Sequence, residues 1–186
     1  MKKVLLTGAS GFIGRHAIAP LLDRGFEIHC VTSKAAPPVP GVTWHVADLM
    51  DSSATHALIQ SLRSSHLLHF AWYAEPGKFW SSPENKRWLS ASELLLRAFA
   101  EGGGTRAVMA GTCAEYEWRD VLSIAEKMPL NPATLYGQCK NKMRQTLAEF
   151  SQARALSSAW GRVFWLYGPH EHPARFVPAV IRPLLK

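Results

Sequence analysis

The sequence predicts an α/β fold in which a doubly wound parallel sheet carries helices on both faces. Short β-type runs alternate with helical patterns long enough to serve as crossover connections, as such a sheet requires. A glycine-bearing turn joins the first of these runs directly to the first helix. The chain has 186 residues, enough for one buried core, so we expect one principal domain.

The predicted elements follow one another along the chain. Strands are predicted at residues 3–7, 26–31, 42–46, 66–71, 106–110 and 158–165, where β-type residues cluster between turn residues. Helices are predicted from the glycine-bearing turn to Gly25, over residues 51–63, and from Ser82-Pro83 to the glycines at 102–104. Asn131-Pro132 repeats the pattern of a capping residue followed by proline and predicts a helix that ends near Ala155. One further short helix is predicted within residues 168–186.

The composition argues against several kinds of partner. The net charge of +7 attracts anions, but the Lys and Arg residues are scattered and no nucleic-acid-binding motif accompanies them, so we expect no nucleic-acid partner. Three cysteines without metal-like or redox-like spacing predict reduced thiols in a cytoplasmic protein. No apolar run approaches the roughly 18 residues of a membrane span, so we expect a soluble protein without a membrane partner.

A phosphate-binding turn is predicted at residues 8–14, which read Gly-Ala-Ser-Gly-Phe-Ile-Gly between a strand and a helix. Glycines in this context permit a tight turn, a close approach of the backbone to a pyrophosphate, and close packing of helix on strand. The helix N-terminus presents free N–H groups to the phosphates. A plain β-α turn is the alternative. The predicted cofactor contacts are Gly8, Ser10, Gly11, Phe12, Ile13 and Gly14 of a Rossmann-type domain.

The end of the second strand bears on which dinucleotide binds. An acidic side chain there accepts hydrogen bonds from the ribose 2′-hydroxyl of NAD and repels the 2′-phosphate of NADP. This chain has Val31-Thr32-Ser33-Lys34 and no acid. Arg15, Ser33 and Lys34 are suited to hold a phosphate, so the sequence favours NADP and leaves NAD open. Lys34 as a solvated loop residue is the alternative.

The spacing Gly-x-x-Gly-x-x-Gly followed by Arg15 resembles the short-chain dehydrogenase/reductase family. Asp48-Leu49 resembles that family's adenine-contacting pair, in which the carboxylate accepts from an exocyclic amine. The stretch at residues 69–72, His-Phe-Ala-Trp, resembles the segment that lines the cofactor, which implies contacts from Phe70, Ala71 and Trp72. Trp72 is larger than the small residue that the resemblance implies there.

A candidate catalytic pair, Tyr136 and Lys140, stands four residues apart and therefore on one face of the predicted fourth helix. A phenol with a pKa near 10 is a poor base at neutral pH, but a nearby ammonium favours tyrosinate. The family resemblance places its catalytic pair here, with the lysine also on the nicotinamide ribose. Thr112, at the end of the fifth strand, matches the family's Ser/Thr that holds the reacting oxygen. The cofactor moves the hydride.

Tyr167-Gly168-Pro169 resembles the extended branch of the family, which acts on nucleotide-linked sugars as epimerases, dehydratases and 4-ketoreductases. The dehydratases carry Asp-Glu after the catalytic Thr, whereas this chain has Cys113-Ala114. The resemblance therefore implies an NAD(P)-dependent enzyme, either an epimerase or a 4-ketoreductase, with a nucleotide-sugar substrate. Two positions where the family often has Asn hold Ser90 and Trp165, which indicates a different anchoring of the substrate.

The resemblance also implies a division of the chain. Residues 1–168 correspond to the NAD(P)-binding domain and 169–186 to the start of a substrate-binding lobe, which extended members continue further. We expect a truncated enzyme, a site completed by another subunit such as a second copy in a homodimer, or a non-catalytic NADP-binding sensor. His170 and His172, two residues apart in a loop without a third ligand nearby, are interpreted as solvated, and no metal site is predicted in His170-Glu171-His172.

Overall fold

The fold is a single parallel sheet in the computed structural model, which describes residues 2–118 and 123–185. Within these residues the sheet has six strands: β1 (Lys3–Thr7), β2 (Glu27–Thr32), β3 (Val42–Val46), β4 (His66–His69), β5 (Arg106–Thr112) and β6 (Ser157–Val163). Their order is β3-β2-β1-β4-β5-β6, and each neighbouring pair is parallel. The order reverses between β1 and β4, which opens a crevice at the carboxyl ends of the strands.

Helices cover both faces of this sheet, as predicted. They are α1 (Phe12–Asp23), α2 (Ser52–Leu62), α3 (Glu84–Glu101), α4 (Leu135–Arg154) and α5 (Phe176–Leu184). One core contains Ile18 of α1 and the Val4 and Leu6 side chains of β1. The opposite core joins β1 to α2, α3 and α4 and includes Leu5. Successive β1 side chains thus serve opposite faces, as the two-residue period of a strand requires.

The predicted start of α4 at Asn131-Pro132 is wrong. The helix begins at Leu135, behind an N-cap at Thr134, whose Oγ1 accepts a hydrogen bond from the Gly137 amide at 3.1 Å. Asn131 instead donates from its side-chain amide to the Glu117 carboxylate at 3.3 Å. Asn and Thr are both favoured capping residues, so the local sequence did not distinguish Asn131 from Thr134.

Several strand boundaries also differ from prediction. β2 spans Glu27–Thr32, one residue later than predicted, and β5 continues to Thr112. β4 ends at His69 because its partner β1 ends at Thr7, where the glycine turn begins. β6 ends at Val163, which pairs with the last residue of β5. The strands on both sides of the crevice therefore end together, and the segments after them are free to line a cavity. None of the helices in the described residues is both long and apolar enough to cross a membrane.

Candidate active site

A cavity of about 610 Å³ lies at the carboxyl edge of the sheet. It extends from the glycine turn, past the ends of β2, β3 and β4, to the end of β5, the start of α4 and the segment after β6. Its lining includes most of the predicted site residues: Gly8, Ser10, Gly11, Phe12, Ile13, Gly14, Ser33, Asp48, Leu49, Phe70, Ala71, Trp72, Thr112, Tyr136 and Lys140. The fold therefore brings together segments that are far apart in sequence.

The glycine turn has the shape that a phosphate cradle requires. Gly8 adopts a left-handed conformation with φ +71°, and a Cβ atom on it would lie 2.7 Å from the Ala71 amide nitrogen. A Cβ atom on Gly14 would lie 2.2 Å from the Gly8 carbonyl oxygen. Among the described residues, no side chain caps the start of α1, which leaves its first N–H groups available to an anion in the cavity. These features fit the pyrophosphate of a dinucleotide.

Two predicted residues, Arg15 and Lys34, lie beside the cavity lining instead of within it. The Arg15 guanidinium folds back on the glycine turn and donates to the Ser10 carbonyl at 2.9 Å. The Lys34 carbonyl oxygen accepts from the Thr32 hydroxyl at 2.9 Å, which forms a tight turn after β2. Ser33 lines the cavity, whereas Arg15 and Lys34 each follow a lining residue in the sequence without lining the cavity themselves.

Lys140 is buried at the opposite end of the cavity, with 4% of its surface exposed. Its ammonium donates to the Ala110 carbonyl oxygen at 2.9 Å and lies 3.9 Å from the centre of the Trp72 ring. Burial lowers the pKa of Lys140 to about 7, and the negative charge of Glu115 opposes this shift. The amine therefore gives up its proton more readily than an exposed lysine does.

Tyr136 stands one helical turn before Lys140, among aromatic side chains. Its ring makes edge-to-face contacts with Phe79 and Trp80, at centroid distances of 4.9 and 5.9 Å. Burial raises the pKa of Tyr136, and a hydrogen bond from Thr112 acts in the opposite direction. Phe79 and Trp80 were not predicted as site residues from the sequence. Their only signal was the aromatic clustering between β4 and α3.

A buried polar chain supports the wall behind Lys140. The His69 ring accepts from the Thr7 hydroxyl at Nδ1, 2.6 Å away, and donates from Nε2 to Ser92 Oγ at 2.9 Å. These roles follow because the Ser92 hydroxyl itself donates to the Trp88 carbonyl oxygen at 2.7 Å. Burial first, and then the charge of Lys140, lowers the pKa of His69 to about 3, so the ring is neutral.

The segment after β6 contributes a residue that was not predicted as part of the site. Glu171 is only 8% exposed and lines the cavity with Arg175. Its amide donates to the Gly168 carbonyl oxygen at 3.2 Å, and this turn directs the side chain inward. His170 is exposed, as predicted. Within residues 2–118 and 123–185, no group of three or more His, Cys, Asp or Glu side chains is arranged to hold a metal ion.

The reversed parallel sheet, the glycine turn and the placement of Tyr136 and Lys140 define the extended class of short-chain dehydrogenases/reductases. The chain belongs to the NAD dependent epimerase/dehydratase family, whose model matches residues 4–186.

Individual relatives agree with this assignment. The chain is 27% identical over 187 residues to dTDP-6-deoxy-L-talose 4-dehydrogenase (NAD(+)) of Aggregatibacter actinomycetemcomitans, a match that covers 98% of this chain and 67% of that protein. It is 27% identical over 183 residues to UDP-glucose 4-epimerase of Bacillus subtilis, covering 90% and 53%. The crystal structure of Thermus thermophilus UDP-glucose 4-epimerase in complex with NAD superimposes with a TM-score of 0.85 at 26% identity, covering 97% and 60%. The chain thus spans about half to two thirds of these relatives.

Proposed function

We propose that this chain forms the dinucleotide-binding and catalytic part of an enzyme that epimerises a nucleotide-linked sugar or interconverts its hydroxyl and keto forms. The observation that supports this most is the single cavity lined by the glycine turn at one end and by Thr112, Tyr136 and Lys140 at the other. The functions in the relatives' names are of the same type.

The glycine turn holds the pyrophosphate of the dinucleotide, and Asp48 holds the adenine, in this proposal. The bound nicotinamide supplies hydride transfer. Tyr136 takes the proton from the sugar hydroxyl during oxidation and returns it during reduction. The Thr112 hydroxyl holds the same sugar oxygen. In its protonated form Lys140 favours the tyrosinate and donates to a ribose hydroxyl. Cys113-Ala114 offers no carboxylate to expel water, so dehydration is not proposed.

The proposed cofactor is NADP in preference to NAD. This choice rests on the end of β2, where Ser33 lines the cavity and residues 31–34 include no acid. The cations Arg15 and Lys34 each stand next to a lining residue in the sequence. The solved relative named above was crystallised with NAD, so NAD is the alternative. A cytoplasmic location is proposed from the three free cysteines.

The proposed domain division places the dinucleotide-binding domain at residues 1–168 and the start of the substrate-binding lobe at 169–186. The inward turn that brings Glu171 and Arg175 to the cavity supports a role of this second segment in holding substrate. A homodimer is the proposed assembly.

Titration of the purified chain with NADPH and NADH, followed by nicotinamide fluorescence, tests the cofactor proposal. Turnover is then assayed with UDP-glucose and dTDP-6-deoxy-L-talose, the nucleotide sugars in the relatives' names. We expect Tyr136→Phe to bind the dinucleotide within about twofold of wild type and to lose at least about 100-fold in turnover. If wild type and Tyr136→Phe both bind the dinucleotide and neither turns over a nucleotide sugar, the non-catalytic sensor is favoured. If wild type binds neither NADPH nor NADH, the proposal is contradicted.

A further inference from the structure

Glu115 is a fully buried carboxylate three residues after Thr112, and the proposed reaction does not use it. It ends a single 3₁₀ turn, Cys113–Glu115, that follows β5 directly. Three hydrogen-bond donors converge on it: the Thr112 amide at 2.8 Å, Trp160 Nε1 at 3.0 Å and Arg162 Nε at 3.0 Å. Arg144 Nε lies 4.0 Å away. The carboxylate stands behind the cavity wall and therefore acts on a ligand only through other residues.

The contacts of Glu115 satisfy a charge that is costly to bury. A carboxylate removed from water destabilises the fold by several kcal/mol unless it is paired and hydrogen-bonded. Both oxygens of Glu115 have donors, since Trp160 Nε1 lies between them at 3.0 and 3.1 Å. Room for this arrangement depends on Gly111, because a Cβ atom there would lie 2.1 Å from Trp160 Nε1 and 2.6 Å from Glu115 Oε1. The sequence therefore accommodates the carboxylate at this strand end.

The turn fixes Thr112 through two of its atoms. Its amide donates to Glu115, and its Oγ1 accepts from the Ala114 amide at 3.2 Å, which together form a capping box. A hydroxyl has one donor hydrogen and two acceptor lone pairs. Because Oγ1 already accepts from the backbone, the O–H hydrogen remains to donate, either to the Tyr136 phenol or to a ligand in the cavity. Glu115 thus holds the backbone that determines where this hydroxyl lies.

We propose that Glu115 is a positioning residue that holds the Thr112 hydroxyl in place at the end of β5. Trp160 and Arg162 of the neighbouring strand β6 donate to the Glu115 carboxylate and hold it in place. Glu115 in turn accepts from the Thr112 amide. An effect of Glu115 on catalysis rests on the proposed function of Thr112. The effect of Glu115 on the position of the Thr112 hydroxyl is independent of that function.

Glu115→Gln is the main test. The new side chain has nearly the same size but only one acceptor oxygen. When that oxygen stays with the Arg162 guanidinium, the amide nitrogen faces the Thr112 amide, which loses its acceptor, and Arg162 loses its charged partner. The matched control is Glu93→Gln, which alters a carboxylate that accepts from Thr146 Oγ1 at 2.8 Å between α3 and α4, away from the cavity. Glu115→Asp keeps the charge and shortens the side chain, and it is the second variant if Glu115→Gln fails to fold.

Amide hydrogen exchange and steady-state kinetics are both measured. We expect exchange at the Thr112 amide to become at least about tenfold faster in Glu115→Gln or Glu115→Asp and to be unchanged in Glu93→Gln. With NADPH binding within about twofold of wild type, we expect kcat to fall at least about tenfold and KM to change by less than about threefold. A purely structural role would instead lower thermal stability and NADPH affinity and leave kcat per folded molecule unchanged.

The two proposals fail in different ways. If the wild-type chain turns over neither UDP-glucose nor dTDP-6-deoxy-L-talose, the proposed function fails, and the exchange rate at Thr112 still decides the role of Glu115. In that case, faster exchange at the Thr112 amide in the Glu115 variants, with no change in Glu93→Gln, supports the positioning role. Equal exchange at Thr112 in wild type, Glu115→Gln and Glu115→Asp overturns it, as does an unchanged kcat in an enzyme that is otherwise active.

Discussion

Lys140 packs its ammonium against the face of the Trp72 indole, 3.9 Å from the ring centre. The indole is held there by a hydrogen bond from its Nε1 to Asn85 Oδ1 at 2.9 Å, and Asn85 itself is fully buried. The ring face attracts the cation, but its bulk also excludes water from it. Burial has the larger effect on the pKa of Lys140, so its ammonium is less favoured here than the ammonium of an exposed lysine.

The depressed pKa of Lys140 predicts how stability varies with pH. The pKa is about 7 in the folded chain and 10.5 in the reference state, so the unfolded chain binds more protons between these values. The contribution of Lys140 to the free energy of unfolding is therefore fully present above about pH 10.5 and is lost as the pH falls towards about 7. We expect the free energy of unfolding of wild type, relative to Lys140→Met, to rise by on the order of 5 kcal/mol across this window. Urea unfolding of both proteins at several pH values measures it, and a difference independent of pH would contradict the prediction.

His69 predicts a second dependence on pH, on the acid side. Its pKa falls from 6.5 to about 3 on folding, so its contribution is present above about pH 6.5 and is lost as the pH falls towards 3. His69→Gln retains a donor and an acceptor but does not titrate, so we expect a shallower loss of stability in this range. His56→Gln is the control, because the His56 side chain is 57% exposed. Urea unfolding between about pH 7 and 4 tests this, and equal slopes for all three proteins would rule it out.

The glycine turn predicts that alanine at Gly14 weakens dinucleotide binding, whereas alanine at Gly25, outside the turn, does not. In Gly14→Ala the new methyl group lies 2.2 Å from the Gly8 carbonyl oxygen, so the turn must shift. We expect dinucleotide affinity to fall at least about tenfold and stability to fall by about 1–3 kcal/mol. Gly25→Ala is the control: its φ of +70° makes alanine unfavourable by about 1 kcal/mol, but it meets no atom within 4 Å. NADPH titration and thermal unfolding separate the two. Similar affinity losses in both variants would mean that the turn has no special role.

The sequence was sufficient for the features that depend on local pattern. The parallel, doubly wound sheet followed from alternating strands and crossover helices, and the glycine turn was recognisable because its strand and helix adjoin it. The start of α4 could not be predicted from the local sequence, because Asn131 and Thr134 are both good capping residues. Only tertiary packing selects between them.

Features that depend on distant partners were missed. Glu115 is hidden in the sequence because its partners Trp160 and Arg162 lie 45 and 47 residues further along the chain. Glu171 was not predicted as a site residue, and its burial depends on the turn that its amide closes with the Gly168 carbonyl oxygen. A buried carboxylate is predicted from sequence only when its counter-charge is visible nearby.

The end of β2 predicts how cofactor preference responds to one substitution. Ser33 lines the cavity, whereas Lys34 lies beside it, so Ser33 is the position from which a carboxylate would reach the adenosine ribose. In Ser33→Asp we expect NADPH affinity to fall at least about tenfold, because the carboxylate repels the 2′-phosphate, and NADH affinity to stay equal or rise, because it accepts from the 2′-hydroxyl. Ser33→Ala controls for loss of the hydroxyl alone, and fluorescence titration with both dinucleotides measures all three proteins. A wild type that prefers NADH would refute the proposed NADP preference, and a Ser33→Asp variant that binds NADPH as wild type does would show that the 2′-phosphate lies elsewhere.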